Sequence, residues 1–353
     1  MSNPLFPRHK LRRLYRVGLV VFAIAIALIW QQIQTPQGSL LAEYETAIAA
    51  QTTAYSEEPI VPIPIQVSFD QAKYSLGEKL FKEPRLSQSE QVSCLSCHKF
   101  EAGGADRDRY SKGMDDALTQ VNTPTIFNVA YNFRFNWDGK HASLAKHTDA
   151  LMQNPTVMGT EWAIVKEKME TIDEYRQAFE TIYPDGISKD NVIDAIVTYE
   201  AALTTPDSPF DQYLRGDSSA LSAAEKEGYG WFKAYGCVSC HQGVNIGGNM
   251  FQKVGVMGDY FADRGNVSEA DFGRFNTTGK EADRYVFRVP SLRNVAMTPP
   301  YLHDGNAQTL KNAIEIMVKY QLGRPIPAEH VDKIAQFLQT LTGEYEVPGN
   351  ELD

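Results

Sequence analysis

The chain has 353 residues, 43% of them hydrophobic and 22% charged, with a formal net charge of −10 at pH 7. That much apolar sequence can bury more than one core, so two domains are the expectation. The acidic balance, with no basic stripe interleaved with aromatics, argues against a nucleic-acid partner.

Residues 1–13 form a basic segment carrying Arg8, Lys10, Arg12 and Arg13, with Arg16 just beyond. The apolar run Val17–Trp30 follows, about 21 Å long as a helix and short of a ~30 Å hydrocarbon core. Adding Leu14, Tyr15 and Ile33 extends it to a transmembrane signal-anchor over 14–33, with Trp30 at an interface and the arginines on the cytoplasmic side. The rival reading is a cleaved signal peptide, with Ser39-Leu40-Leu41-Ala42 as a weak processing site. Both export the rest. The protein is therefore expected to be anchored in the bacterial inner membrane with the remainder in the periplasm, or to be released there after cleavage. Residues 34–65 read as a tether, in which a short helical stretch, Leu40–Ala50, leads into Pro59, Pro62 and Pro64, which favour extended backbone.

Beyond the tether the chain reads as mainly α, in two units over 66–207 and 208–343, with 344–353 as a tail. Amphipathic spacing predicts helix within Glu161–Tyr183. Ser188 caps a run whose Val192, Ile193, Ile196, Val197 and Leu203 recur at helical intervals. The boundary falls near Thr205–Pro209. A turn-rich, aromatic loop, Gly243–Arg284, interrupts the second unit. Helices are expected again over Thr309–Tyr320 and Ala328–Leu341. No sustained strand alternation is present.

Both units carry the same chemical signature. Cys94-Leu-Ser-Cys97-His98 and Cys237-Val-Ser-Cys240-His241 use every cysteine of the chain. C-x-x-C-H attaches c-type haem: the thiols bond to the porphyrin vinyl groups and the histidine offers its imidazole to the iron. Paired zinc half-sites or a thioredoxin-like redox pair would leave the two histidines unexplained. Two covalent haem c groups are the expectation, and their attachment implies assembly outside the cytoplasm.

A repeat follows each motif. Pro124-Thr-Ile-Phe-Asn128-Val129-Ala130 matches Pro290-Ser-Leu-Arg-Asn294-Val295-Ala296. Trp137-Asp138-Gly139 matches His303-Asp304-Gly305 in the same register, and Ser143-Leu144 matches Thr309-Leu310. The fold class is thus mainly α, with tandem, internally duplicated haem domains behind an N-terminal membrane helix.

The second axial position decides what each haem does. Met317 lies on the helix after His303 and would close the second iron with sulfur. Its counterpart in the first repeat is Leu151, which cannot ligate. The two haems are therefore expected to be unequal. Met250, Met257 and Met297 are competing ligands.

The pattern Asn122-Thr-Pro-Thr-Ile-Phe-Asn128, Trp137-Asp-Gly, Thr205-Pro-Asp-Ser-Pro-Phe210, Gly247-Gly248, Val289-Pro-Ser-Leu-Arg-Asn294 and Pro300-Tyr-Leu-His-Asp-Gly305 resembles the bacterial dihaem cytochrome c peroxidases. The relatives of that family include a dihaem oxidase of methylamine utilisation. The similarity covers roughly Phe69–Gly343. It implies two cytochrome c-like domains facing each other across a calcium ion, with a C-terminal electron-transfer haem and an N-terminal haem that reduces peroxide. His98 would be the proximal ligand of the peroxidatic haem, and His241 and Met317 the axial pair of the other. Trp137 would lie between the haems as electron conduit, and His303 beside them. Asn122, Thr298 and Pro300 match the calcium positions, where hard oxygen ligands are needed. A small c-type cytochrome or cupredoxin would donate electrons, and a homodimer is implied by the resemblance alone.

Two departures from the family pattern matter. The loop histidine that caps the first haem in the family falls at Met114. That residue either acts as a removable iron ligand or is an exposed loop residue beside an open haem. The distal acid of Asn-Pro-x-Glu-Met-Gly falls at Val157, in Asn154-Pro-Thr-Val157-Met-Gly159, and valine transfers no proton. His147 and Glu161 are the candidates to replace it. The leading function is a peroxide-reducing dihaem oxidoreductase. The alternative is a dihaem electron-transfer or small-ligand-binding protein without peroxidase chemistry. Oxidation of a partner protein is a third reading, related to the first.

Overall fold

A computed structural model describes residues 58–345. Among the described residues, the helices of eight residues or more follow the apolar spacing, and five of the eight are capped by a side chain. In the first half they are α1 (Gln71–Phe81), α2 (Leu144–Gln153), α3 (Trp162–Glu170), α4 (Asp173–Ile182) and α5 (Lys189–Ala202). In the second half they are α6 (Ala223–Ala234), α7 (Leu310–Met317) and α8 (Ala328–Gln339). The amphipathic stretch 161–183 divides into α3 and α4. Ser188 caps α5 as expected, its Oγ accepting from the amide of Asn191 at 3.2 Å. The repeated hydroxyls Ser143 and Thr309 cap α2 and α7 in the same way. Inside the turn-rich loop, β1 (Phe251–Lys253) pairs antiparallel with β2 (Val286–Arg288), placing Gln252 opposite Phe287.

The halves repeat one architecture. In the first, α1 crosses α5; in the second, α6 crosses α8. Each crossing is close because a glycine stands at the contact. A Cβ on Gly77 would lie 2.0 Å from the Ala195 carbonyl oxygen, and one on Gly228 would lie 2.0 Å from that of Lys333. The apolar residues form a core in each half, one ending at Leu203 and one resuming at Phe210, and a third, smaller cluster in which Trp137 of the first half packs with Tyr260, Phe261, Phe287 and Tyr320 of the second.

One residue joins the copies. Asn128 and Asn294, equivalent in the repeat, both adopt left-handed backbone conformations, with φ of 61° and 58°. Their side-chain amides both donate to Thr205 Oγ1, at 2.8 and 2.9 Å. The backbone amide of Asn128 donates to Leu203 O, and that of Asn294 to Leu341 O.

The tether needs correction at its end. Within the expected span 34–65, residues 58–64 are extended but packed. Ile60 and Ile63 are fully buried, Ile60 within the second core. Extended backbone leaves its polar groups unpaired, and here the second half satisfies them. Arg293 Nη2 donates to Val61 O at 3.0 Å, Arg215 Nη2 to Ile63 O at 2.6 Å, and Ile63 N to Asp211 Oδ1 at 3.2 Å. At the other end Tyr345 crosses to the first core, its ring against Phe100 and Phe127.

The expected basic segment, signal-anchor and remainder of the tether lie outside the described residues, as does the tail beyond Tyr345. No helix among the described residues is long and apolar enough to cross a membrane.

Candidate dihaem site

The second C-x-x-C-H opens from a 3₁₀ turn, Cys237–Ser239, entered through Gly236 at φ 85°. His241 is turned by one hydrogen bond between its Nδ1 and Ile246 O, at 3.3 Å. That contact leaves Nε2 for a metal, the usual arrangement of a ligating imidazole. Burial lowers the His241 pKa to about 4, so the ring is neutral, as a ligand must be. Beside it opens a cavity of about 390 Å³, bordered by Cys237, Cys240, His241, Leu338 and Met317. Met317 ends α7 on the cavity wall; Met250, Met257 and Met297 do not line it, and Met257 is 60% exposed.

The first motif repeats the geometry. Cys94–Cys97 is a single helical turn, and His98 Nδ1 meets Gly104 O at 3.0 Å. Gly104 O and Ile246 O each also accept a backbone amide from the repeat, Ile126 and Leu292 respectively. Burial lowers the His98 pKa as well. All four cysteines are free thiols, and burial raises each of their pKa values. Cys94 packs on the first core and Cys237 on the second, so the pairs do not converge on one zinc. Free thiol pairs, histidines with one nitrogen held and the other spare, and an apolar cavity fit covalent haem c.

On α2, His147 is partly buried, and its buried Nδ1 has no hydrogen-bond partner among the described residues. Its ring stacks on Phe135 at 6.1 Å and lies 5.4 Å from that of His141. Burial, then the charges of His141, His98 and Arg288, lower its pKa to about 3. By the repeat, His147 matches Ala313 and Leu151 matches Met317; both second-half residues line the cavity. His147 therefore lies on the helix face equivalent to the one that borders the second cavity.

Next to it stands an acid that sequence reading missed. Glu200 is 5% exposed, accepts from Thr148 Oγ1 at 3.0 Å, and is raised by burial to a pKa of about 8. Its repeat partner, Leu338, borders the second cavity. The signal available was a glutamate on an otherwise apolar face of the Ser188-capped helix.

Val157 is partly buried against the first core. Glu161, exposed, precedes α3 as its N-cap. The reading of Met114 as an exposed loop residue is corrected: it is 7% exposed and part of the first core. A Cβ on Gly159 would lie 2.5 Å from Met114 Cε, and one on Gly113 would lie 2.0 Å from Thr156 O. The 111–116 loop is thus seated directly on the 154–159 loop, which is why its methionine is covered.

Between the two halves, Trp137 is 8% exposed and donates through Nε1 to Asn122 O at 2.8 Å. Its repeat equivalent, His303, meets it edge-on with ring centres 6.3 Å apart and stacks on Phe287 at 4.4 Å. His303 Nε2 contacts Asp271 Oδ1 at 2.7 Å. Burial alone would raise the Asp271 pKa, but hydrogen bonds from His303 and Arg264 hold it far below the usual range. Asp271, His303 and Asp304 are spaced to hold a metal ion, yet Arg264 pairs with both acids and takes the place of a cation. Trp137, His303, Asn122, Thr298 and Pro300 all line the second cavity.

A family described as di-haem cytochrome c peroxidase matches residues 71–219. The chain is 39% identical over 290 residues to the cytochrome c551 peroxidase of Nitrosomonas europaea, covering 82% of this chain and 85% of that one. The chain belongs to the di-haem cytochrome c peroxidase family. It is also 41% identical to the cytochrome c peroxidase Ccp of Escherichia coli K12 over 82% of its own length, but spans only 62% of that relative. Among solved structures it resembles a MauG-like protein associated with microbial copper homeostasis, with TM-score 0.71 and 26% identity, covering 81% of this chain and 94% of that one. As a member of this family, the chain carries the residues for two c-type haems.

Proposed function

We propose that this chain reduces hydrogen peroxide to two waters, taking two electrons from a small periplasmic redox protein, a c-type cytochrome or cupredoxin, and two protons from solvent. The inequality of the repeat carries the reading: Met317 stands on the second cavity wall where the first half has Leu151, with His147 and its buried Nδ1 one turn away. Likeness to peroxidases at 39 and 41% identity supports it.

Cys94, Cys97 and His98 would hold one porphyrin, and Cys237, Cys240, His241 and Met317 the other. Bound haem supplies electron storage at the second site and peroxide reduction at the first. Met317 would exclude small ligands from the second iron, while Leu151 leaves room at the first. Trp137, fixed by Asn122 and His303, is positioned between the sites as the conduit. Neutral His147 offers an unshared Nδ1 to accept a proton from bound peroxide and return it to the departing oxygen. Glu161 is the weaker candidate, being exposed. Met114, buried in the first core, would be the removable ligand of the first iron.

A calcium ion held by Asn122 and the backbone oxygens of Thr298 and Pro300 belongs to this proposal. The Asn122 amide nitrogen donates to Asp108 O at 2.9 Å, so its oxygen is the atom available to a cation. Anchoring through residues 14–33, with the haem domains in the periplasm, and a homodimeric assembly complete it.

Val157 favours one second reading, a dihaem electron-transfer or ligand-binding protein. Stopped-flow reaction of the half-reduced holoprotein with peroxide separates the two. The wild type is expected to react rapidly and His147→Ala to lose that phase. An inert wild type that gains activity as Val157→Glu would establish the second reading.

A further inference from the structure

The second cavity contains a charge that the reaction above does not use. Arg288, at the end of β2, is 4% exposed and lines the cavity beside His241. Its backbone amide is tied to Trp137 O at 2.9 Å, which fixes where the side chain starts. Nη1 donates to Asn132 Oδ1 at 3.0 Å and Nε reaches Asn136 O at 3.4 Å. Both acceptors are neutral, and Nη2 finds no acceptor among the described residues.

Arg293, the other buried arginine, and the partly buried Arg264 differ. Arg293 pairs with Asp211 at 2.8 Å, and Arg264 with Asp271 and Asp304. Arg288 has no carboxylate partner among the described residues. A guanidinium cannot escape burial by losing its proton, because even here its pKa falls only to about 10. A buried, uncompensated cation is costly, and folded proteins supply a counter-ion. Here none of the described residues supplies one, and the side chain borders a cavity of about 390 Å³.

We propose that Arg288 is the counter-ion of a carboxylate of the bound porphyrin, namely a propionate of the haem held by Cys237, Cys240 and His241. The inference rests on the dihaem reading and adds an anion subsite to it. The planar guanidinium, with one edge held by Asn132 and Asn136, presents its remaining N–H groups to a carboxylate in the geometry such pairs favour. Two consequences follow. The positive charge disfavours the ferric state, so Arg288 raises the potential of the second haem. It also keeps the propionate ionised, so that potential is insensitive to pH near neutrality.

The test uses the holoprotein, with covalent haem content measured first, since a chain that binds no haem would overturn the dihaem reading itself. Spectroelectrochemical titration then compares wild type, Arg288→Gln and Arg288→Lys at several pH values. With both haems attached, Arg288→Gln is expected to lower the midpoint potential of the methionine-ligated haem, marked by its sulfur-to-iron band. Its potential should also become pH-dependent near neutrality as the freed propionate titrates. Arg288→Lys should restore most of both properties. Unchanged potentials in Arg288→Gln, a Lys variant indistinguishable from Gln, or a shift confined to the other haem would each overturn the assignment. Should Arg288→Gln fail to mature, the wild-type profile decides. A flat potential between about pH 5 and 8 supports a paired propionate, and a sloping one overturns it.

Discussion

Glu200 shows how much burial does to one side chain. Its folded pKa of about 8 lies above the unfolded value of 4.5, so the folded chain binds the extra proton between them. Stability is greatest below the lower value and falls as pH rises through the upper one, by a few kcal/mol if the shift is fully expressed (about 1.4 kcal/mol per unit). Denaturant unfolding of wild type and Glu200→Gln across that range checks this: the Gln variant should lose most of the slope. His147 shifts the opposite way, burial keeping its ring neutral at neutral pH. Replacing it with alanine should reduce the peroxide reaction by about 10²–10⁴-fold, the usual value of a positioned proton carrier. Met317→Ala should abolish the sulfur-to-iron band and lower one haem potential; an unchanged spectrum would pass the role to another methionine.

Among the elements, the two helix crossings have the sharpest requirements. At Gly77 and Gly228 any side chain would strike the backbone of the opposing helix. Gly77→Ala and Gly228→Ala gain helix propensity of roughly 1 kcal/mol but must push α1 from α5, or α6 from α8. Overpacking of this kind costs about 1–3 kcal/mol, and here the obstacle is rigid, so a net loss is expected in thermal unfolding of each variant. Because the crossings lie in separate cores, the double variant should show nearly additive losses. The helices themselves were legible: Ser188, the apolar spacing of α5 and the repeated hydroxyls before Leu144 and Leu310 are local signals. The break between α3 and α4 was not. Nor was the burial of Met114, which depends on Gly113 and Gly159 allowing two distant loops to touch.

Across the whole molecule, the duplicated halves meet at Thr205, whose single hydroxyl accepts amides from both Asn128 and Asn294. Thr205→Val keeps the shape and leaves two buried donors unpaired, each costing about 1–3 kcal/mol. Unfolding followed separately at the two haems should show both halves weakened, whereas a loss confined to one would refute this shared role. The packed segment 58–64 makes a second expectation at this scale. A chain beginning at residue 66 should expose the second core, and limited proteolysis should cut the second half faster than the first. Sequence alone determined the haem number, the duplication, the helical class and the family pattern, because thiol spacing, helical periodicity and repeat register are properties of neighbours along the chain. Only the tertiary structure decided that residues 60–64 of the expected tether are buried, that Glu200 is a buried acid, and that among the described residues His147 Nδ1 has no partner and Arg288 no counter-ion. Those properties depend on which distant groups supply or withhold a hydrogen bond, a charge or access to water.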